Sequence, residues 1–211
     1  MSEQTVSNLW FIFSISLNAL GNSFMVIAQL GSAPWTSAAE NLVTIFPPSI
    51  GVWIIILHIL SFIISYTMKN KLPVDVMLKS IGLAIAFGLL IDLFLYFHEL
   101  IFVPDKVTVR YLYLFIGMNF ISIAISIYFQ SSSIYLPTDF LLKAFGRKFS
   151  NFTVGTIIWT AIPLSISLVI VLYRWEVIGI GPGTILFMFI NGILIDMYNH
   201  WIIIRKAPQQ A

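Results

Sequence analysis

The recurrence of apolar stretches about 20 residues long constrains this chain more than any other feature. A helix needs roughly 20 mostly apolar residues to cross about 30 Å of hydrocarbon. Six stretches of the 211-residue sequence meet that need, at about 9–30, 49–68, 77–97, 110–130, 153–173 and 183–204. Hydrocarbon offers no water to backbone N–H and C=O groups, so each stretch is expected to be a helix. Residues that end helices lie between them: Gly31 to Pro34, Pro47 and Pro48, Lys69 to Pro73, Pro104 and Asp105, Ser131 to Pro137, and Gly179 to Gly183. Hydrophobic residues make up 59% and charged residues 9%, against about 45–50% and about 25% in soluble domains. A soluble enzyme is excluded, and the expected class is an all-α integral membrane protein, one membrane domain over 1–211 with the lipid bilayer as its first partner. The formal net charge of +2 gives no field for nucleic acid. Without cysteine there is no disulfide, thiol catalysis or Cys-ligated metal. No Lys or Arg precedes the first span and no small-residue cleavage site follows it, so it reads as a retained helix rather than a signal peptide.

Basic residues orient the spans. With the N-terminus in the cytoplasm, Lys69, Lys71, Lys79, Lys143, Arg147, Lys148, Arg205 and Lys206 fall inside, and Lys106, Arg110 and Arg174 outside. Cytoplasmic loops carry the excess of Lys and Arg. Both termini are therefore expected in the cytoplasm.

The third and sixth spans end alike, at Gly88-Leu-Leu-Ile-Asp92 and Gly192-Ile-Leu-Ile-Asp196, 104 residues apart. The same offset places Gly51 on Gly155, Ile54 on Ile158 and Ile81 on Ile185. Pro34 pairs with Pro137 at 103, and Ile15, Asn18, Gln29 and Ser32 pair with Ile116, Asn119, Gln130 and Ser133 at 101. Residues 9–97 thus repeat as 110–204. Each half has three spans, an odd number, so the second half enters the membrane from the opposite side. Inverted repeats of this kind recur in secondary transporters, where the substrate site lies between the halves.

Between the first and second spans of each half lies a polar segment too short to cross, one from Ser32 to Leu42 and one from Tyr135 to Phe145. Pro34 and Pro137 suit the first position of a short helix, with Pro47 and Gly146 as stops. If these helices re-enter the membrane, the free N–H groups around Pro34, Trp35, Pro137, Thr138 and Asp139 favour an anionic group. The other reading is an amphipathic helix in each interface, since Glu40, Lys143, Arg147 and Lys148 prefer water.

Asp92 and Asp196 are repeat-related carboxylates within spans. Burial there is costly, which fits a proton-coupled carrier, while the structural reading makes each a helix cap or the partner of a loop cation. His58 lies mid-span with Ile162 as its counterpart, so it is either a hydrogen-bonded core residue or a relay. The amides of Asn18, Gln29, Asn119 and Gln130 hold helices together or line a polar cavity. No spacing fits a catalytic metal site; neither metal nor cofactor is assigned, and no acid, base and nucleophile set points to an enzyme.

At several of these residues the chain resembles the YczE/YyaS/YitT-like family of bacterial multi-pass membrane proteins. The resemblance lies in Leu30 to Trp35, Ser49 to Trp53, Ile178 to Thr184, and the endings at Asp92 and Asp196. It implies a bacterial plasma-membrane protein and names no substrate. The functional expectation is a transporter for a small solute, an anionic group favoured, with proton coupling. The alternatives are a non-transporting protein that binds or regulates a partner protein or lipid, and the substrate-binding subunit of a multi-component importer.

Overall fold

The computed structural model describes residues 3–68, 72–132, 134–149 and 152–204. Lys69, Lys71, Arg205 and Lys206, four of the cations that orient the spans, and Ser133 lie outside them. Every element described is a helix, and the order long, short, long, long occurs twice. The first set is α1 (Glu3–Ala28), α2 (Pro34–Val43), α3 (Ile50–Thr67) and α4 (Val74–Ile101). The second is α5 (Val107–Ser131), α6 (Pro137–Lys148), α7 (Phe152–Arg174) and α8 (Pro182–Trp201).

Five helices, α1, α3, α4, α5 and α7, are long and apolar enough to cross a membrane, and the chain is a membrane protein. The expected sixth span, 183–204, corresponds to α8. That helix has the length, but Asn191, Asp196, Asn199 and His200 make its second half too polar to count on composition alone.

The short helices begin where proline predicts. Pro34 and Pro137 are the first residues of α2 and α6, where the missing N–H costs nothing. Their ends differ from expectation. The α2 helix stops at Val43, four residues before Pro47, whereas α6 runs through Gly146 to Lys148. Gly146 serves close packing instead of termination, since a methyl group on Gly155 of α7 would lie 2.6 Å from its backbone nitrogen.

The most extensive helix pair is α1 on α5, which cross with backbones in contact; a methyl group on Gly21 would lie 2.8 Å from the Gly117 carbonyl oxygen. Helix α4 packs on α1, and α8 on α5. Around this centre α2, α3, α6 and α7 close a ring in which each short helix touches both α3 and α7. The last long helix of each set starts against the lead-in to the other set's short helix. The Ser80 hydroxyl on α4 donates to the Tyr135 carbonyl ahead of α6, and the Gly183 amide on α8 donates to the Leu30 carbonyl ahead of α2, at 2.8 Å.

In one respect the two sets differ. Helices α3 and α4 pack together, and no comparable contact joins α7 to α8 among the described residues. At the α3–α4 seam the backbones nearly touch: a methyl group on Gly88 would sit 2.5 Å from the Gly51 carbonyl oxygen. On α8, a methyl group on Gly192 would meet nothing within 4 Å.

This contrast gives a paired expectation for thermal unfolding in lipid nanodiscs. Gly88→Ala forces the seam apart and lowers the unfolding temperature. Gly192→Ala leaves it unchanged or raises it, since alanine in an unobstructed helix is favoured by about 0.5–1 kcal/mol. Equal responses would contradict the seam geometry.

Candidate functional site

The two short helices direct their first turns at one residue of α7. Trp159 packs against Trp35, the second residue of α2, with ring centroids 5.8 Å apart and the rings tilted by 52°. Its indole N–H donates to the carbonyl of Thr138, the second residue of α6, at 2.9 Å. The N-terminal turns of α2 and α6, each the positive end of a helix dipole, therefore meet the same side chain of α7; in α6 the Asp139 N–H is already paired with the Leu136 carbonyl, at 3.0 Å. Trp35 Nε1 is buried there without a partner among the described residues. A second link joins α2 to α7 deeper in, where the hydroxyls of Ser37 and Ser167 lie 3.2 Å apart.

Each short helix is also fixed to the first long helix of its own set. The Thr36 hydroxyl donates to Asn22 Oδ1 at 2.6 Å, and the Asn22 amide donates to Asn18 Oδ1 at 2.8 Å and to the Asn18 carbonyl at 2.9 Å. On the other side the Tyr128 hydroxyl donates to Asp139 at 2.9 Å and accepts from the Leu136 amide. Burial pushes the Asp139 carboxyl up to about 6, opposed by the Tyr128 hydrogen bond and the nearby Lys143 charge.

The lead-in of each short helix is tied to its second turn by a link of the same span. The Ser32 hydroxyl donates to Glu40, and eight residues likewise separate Tyr135 from Lys143, whose ammonium lies 3.4 Å over the Tyr135 ring. Both members are offset by 103 between the sets, as the prolines are. Glu40 thus occupies the place that a cation occupies in the second set. Contrary to the expectation that it prefers water, Glu40 is only partly exposed, and burial pushes its carboxyl up to about 8, with the Ser32 hydrogen bond acting against the rise.

The remaining candidates fall in separate places. Asp92 accepts from the Ser49 hydroxyl at 2.5 Å and from the Gly51 amide at 2.8 Å, so it caps α3 and seals the glycine crossing. Asp196 is exposed; His200, one turn on, bonds its carbonyl oxygen rather than its carboxylate. His58 is buried against the Phe87 ring, its Nδ1 unpartnered among the described residues. Gln29 accepts from Arg110 at 3.0 Å, Asn119 accepts from the Tyr198 hydroxyl at 2.6 Å, and Gln130 holds the end of α8 through the Ile202 carbonyl and the Ile204 amide. These amides join helices. No group of three or more His, Asp or Glu able to hold a metal occurs among the described residues.

Residues 6–200 match the DUF6198 family, a family of unknown function. The chain belongs to that family. The match takes in all of α2 to α7 and all but the ends of α1 and α8. No curated protein and no solved structure matches the chain.

Sequence reasoning did not single out Trp159, Tyr128 or Asn22. Trp159 has Ile55 as its counterpart at the 104 offset, and a repeat search rewards identities, so a residue serving both short helices from one set leaves no such signal. Trp159→Phe keeps the ring and removes the donor; it should lower stability by about 1 kcal/mol in thermal or denaturant unfolding. Full retention would show that the indole does not tie α6 to α7.

Proposed function

We propose that this protein is a membrane transporter for a small solute with an anionic group, built from two inverted three-span repeats, α1 to α4 and α5 to α8. The observation that carries the reading is the difference between repeat-related seams. Gly51, Gly88 and Asp92 close α3 on α4, while their counterparts Gly155, Gly192 and Asp196 leave α7 and α8 unjoined. In an inverted repeat the two seams face opposite sides of the membrane. A molecule with one closed and one open is biased to one side, and exchanging them gives access to the other. The two arrangements need differ by only a few kcal/mol for a ligand to shift their populations.

The reading requires α8 to cross. Its polar side chains support this, because three of them are satisfied by α5: Asn191 accepts from Ser122 at 2.9 Å, Asn199 from Ser126 at 2.7 Å, and Tyr198 donates to Asn119. Polar groups paired inside the bundle do not bar a helix from the bilayer. The convergent first turns of α2 and α6 favour a carboxylate, phosphate or similar anion, with Trp35 Nε1 as an additional donor. Asp92 and Asp196 act in this scheme as latches of the two seams. The resemblance to the YczE/YyaS/YitT-like family supports a bacterial plasma membrane, and the balance of Lys and Arg supports cytoplasmic termini.

The test screens anionic, zwitterionic and cationic metabolites for thermal stabilisation, then measures flux of the hits into liposomes. At about 100 times its Kd a ligand adds about 2.7 kcal/mol to apparent stability. The expected result is stabilisation by an anionic class together with saturable uptake. Stabilisation without flux would replace transport by ligand binding or partner regulation.

A further inference from the structure

We propose that Glu40 is a proton-binding site that controls whether the α7–α8 connection stays seated on α2, and hence the position of α8 relative to α7. The inference rests on the transport reading only for its consequence, namely that the coupling ion is a proton; the site itself stands on local geometry.

The connection between Trp175 and Gly181 folds back onto α2 and its lead-in. The Ser32 amide donates to the Gly179 carbonyl at 3.0 Å, and the Asn41 side-chain amide donates to the Ile178 carbonyl at 2.8 Å. The Thr184 hydroxyl on α8 also donates to the Gly179 carbonyl, at 3.0 Å. Gly179 has φ +68°, a conformation that L side chains rarely adopt, and a methyl group there would lie 3.2 Å from Glu40 Cβ and from Ser37 Cα. The turn therefore rests directly on the helical turn that carries Glu40. The donors on either side of Glu40, Ser32 and Asn41, hold the two carbonyl oxygens towards α2.

That arrangement suits a neutral side chain at position 40. Glu40 accepts from the Ser32 hydroxyl, and the amide of the same Ser32 donates to the Gly179 carbonyl, so the carboxyl is coupled to the turn through Ser32; an ionised carboxylate there gains from water that the seated turn keeps out. Among the described residues no countercharge pairs with Glu40; Arg110 of α5, the cation next to the lead-in of α2, donates to Gln29 at 3.0 Å. On α1 the charged residue is Glu3, at the far start of the helix. His58 of α3 faces Phe87. Arg174 of α7 pairs with Glu176 of the connection at 3.0 Å, in the open. On α8, Asp196 and His200 lie 14 and 18 residues beyond Pro182, about 21 Å or more at 1.5 Å per residue. The matching position in the second set is Lys143, which sits near Asp139 and over Tyr135, so the two short helices differ most in charge at this point.

With its proton bound, Glu40 leaves the connection seated as in this structure. Loss of the proton puts a negative charge on a half-buried side chain beside the Gly179 turn; hydration of that charge competes with the seated turn, and the connection lifts. Because Gly179 also holds Thr184 in the first turn of α8, lifting frees α8 to approach α7. The native state binds the proton more tightly than the unfolded chain does. Stability from this group is therefore full below about 4.5 and is lost as pH rises through about 8.

The absence of native cysteine permits a clean distance measurement. Nitroxides on cysteines at Val177 of the connection and Ile45 just beyond α2, both exposed, report seating by pulsed electron resonance in nanodiscs. Across a titration through pH 8, the native residue should give one distance at low pH and a second, longer one at high pH. Glu40→Gln should hold the short distance throughout. Ser32→Ala, which removes a hydrogen bond that favours the ionised form, should move the midpoint to higher pH. A distance unchanged by pH, or a Glu40→Gln titration like the native one, would overturn the proposal. If Glu40→Gln folds poorly, the direction of the Ser32→Ala shift decides alone: an unmoved or lowered midpoint contradicts the site. A pH-driven change that Glu40→Gln abolishes, in a protein that shows no flux, would sustain the proton site and remove the transport reading.

Discussion

Helices in a bilayer gain little from burying apolar surface against one another, because lipid is as apolar as leucine. What holds one helix to the next here is close backbone approach and polar groups that have nowhere else to go. The α3–α4 seam shows both at once. Gly51 and Gly88 let the backbones meet, and Asp92 spans the crossing to take the Ser49 hydroxyl and the Gly51 amide, an N-terminal N–H that hydrocarbon would leave unsatisfied. One carboxylate therefore caps a helix and fastens a second helix to it. The same logic places Trp159 between the short helices and Gln130 at the end of α8.

A seam made this way is discrete rather than graded. Polar caps and glycine contacts are either made or broken, which gives a packed bundle two arrangements instead of a continuum. The protein carries the parts for this seam twice and shows them engaged once. Gly155 is occupied by Gly146 of α6, and Gly192 and Asp196 face away from the bundle. The connection ahead of α8 is held on α2 by Ser32 and Asn41, which accounts for the separation of α8 from α7.

Much of the fold was legible in the sequence. The helix positions followed from apolar length, and the short helices from Pro34 and Pro137, because both signals are local and act through the backbone. The end of α6 is not legible, because Gly146 has the local signature of a stop while its role depends on a contact with Gly155 that no local rule reveals. The polarity of α8 makes it fail as a span by composition, since pairing with Ser122 and Ser126 of α5 is a tertiary fact. For the site, the repeat pointed to Asp92 and Asp196 as equals, and the structure gives one a capping role and leaves the other exposed. Glu40 reads as a water-seeking charge because its contact with Gly179, in a connection far along the chain, cannot be seen from the residue itself.

The central claim is that the two seams exchange. It is tested most directly by pulsed electron resonance on two label pairs in nanodiscs, one at Ile63 of α3 and Leu89 of α4, the other at Leu168 of α7 and Ile193 of α8, all of them exposed. The account predicts two distances for each pair, with populations that move in opposite directions. Asp92→Asn, which weakens the closed seam, should raise the longer α3–α4 distance and the shorter α7–α8 distance together. A single distance for each pair, unchanged by Asp92→Asn, would contradict the account.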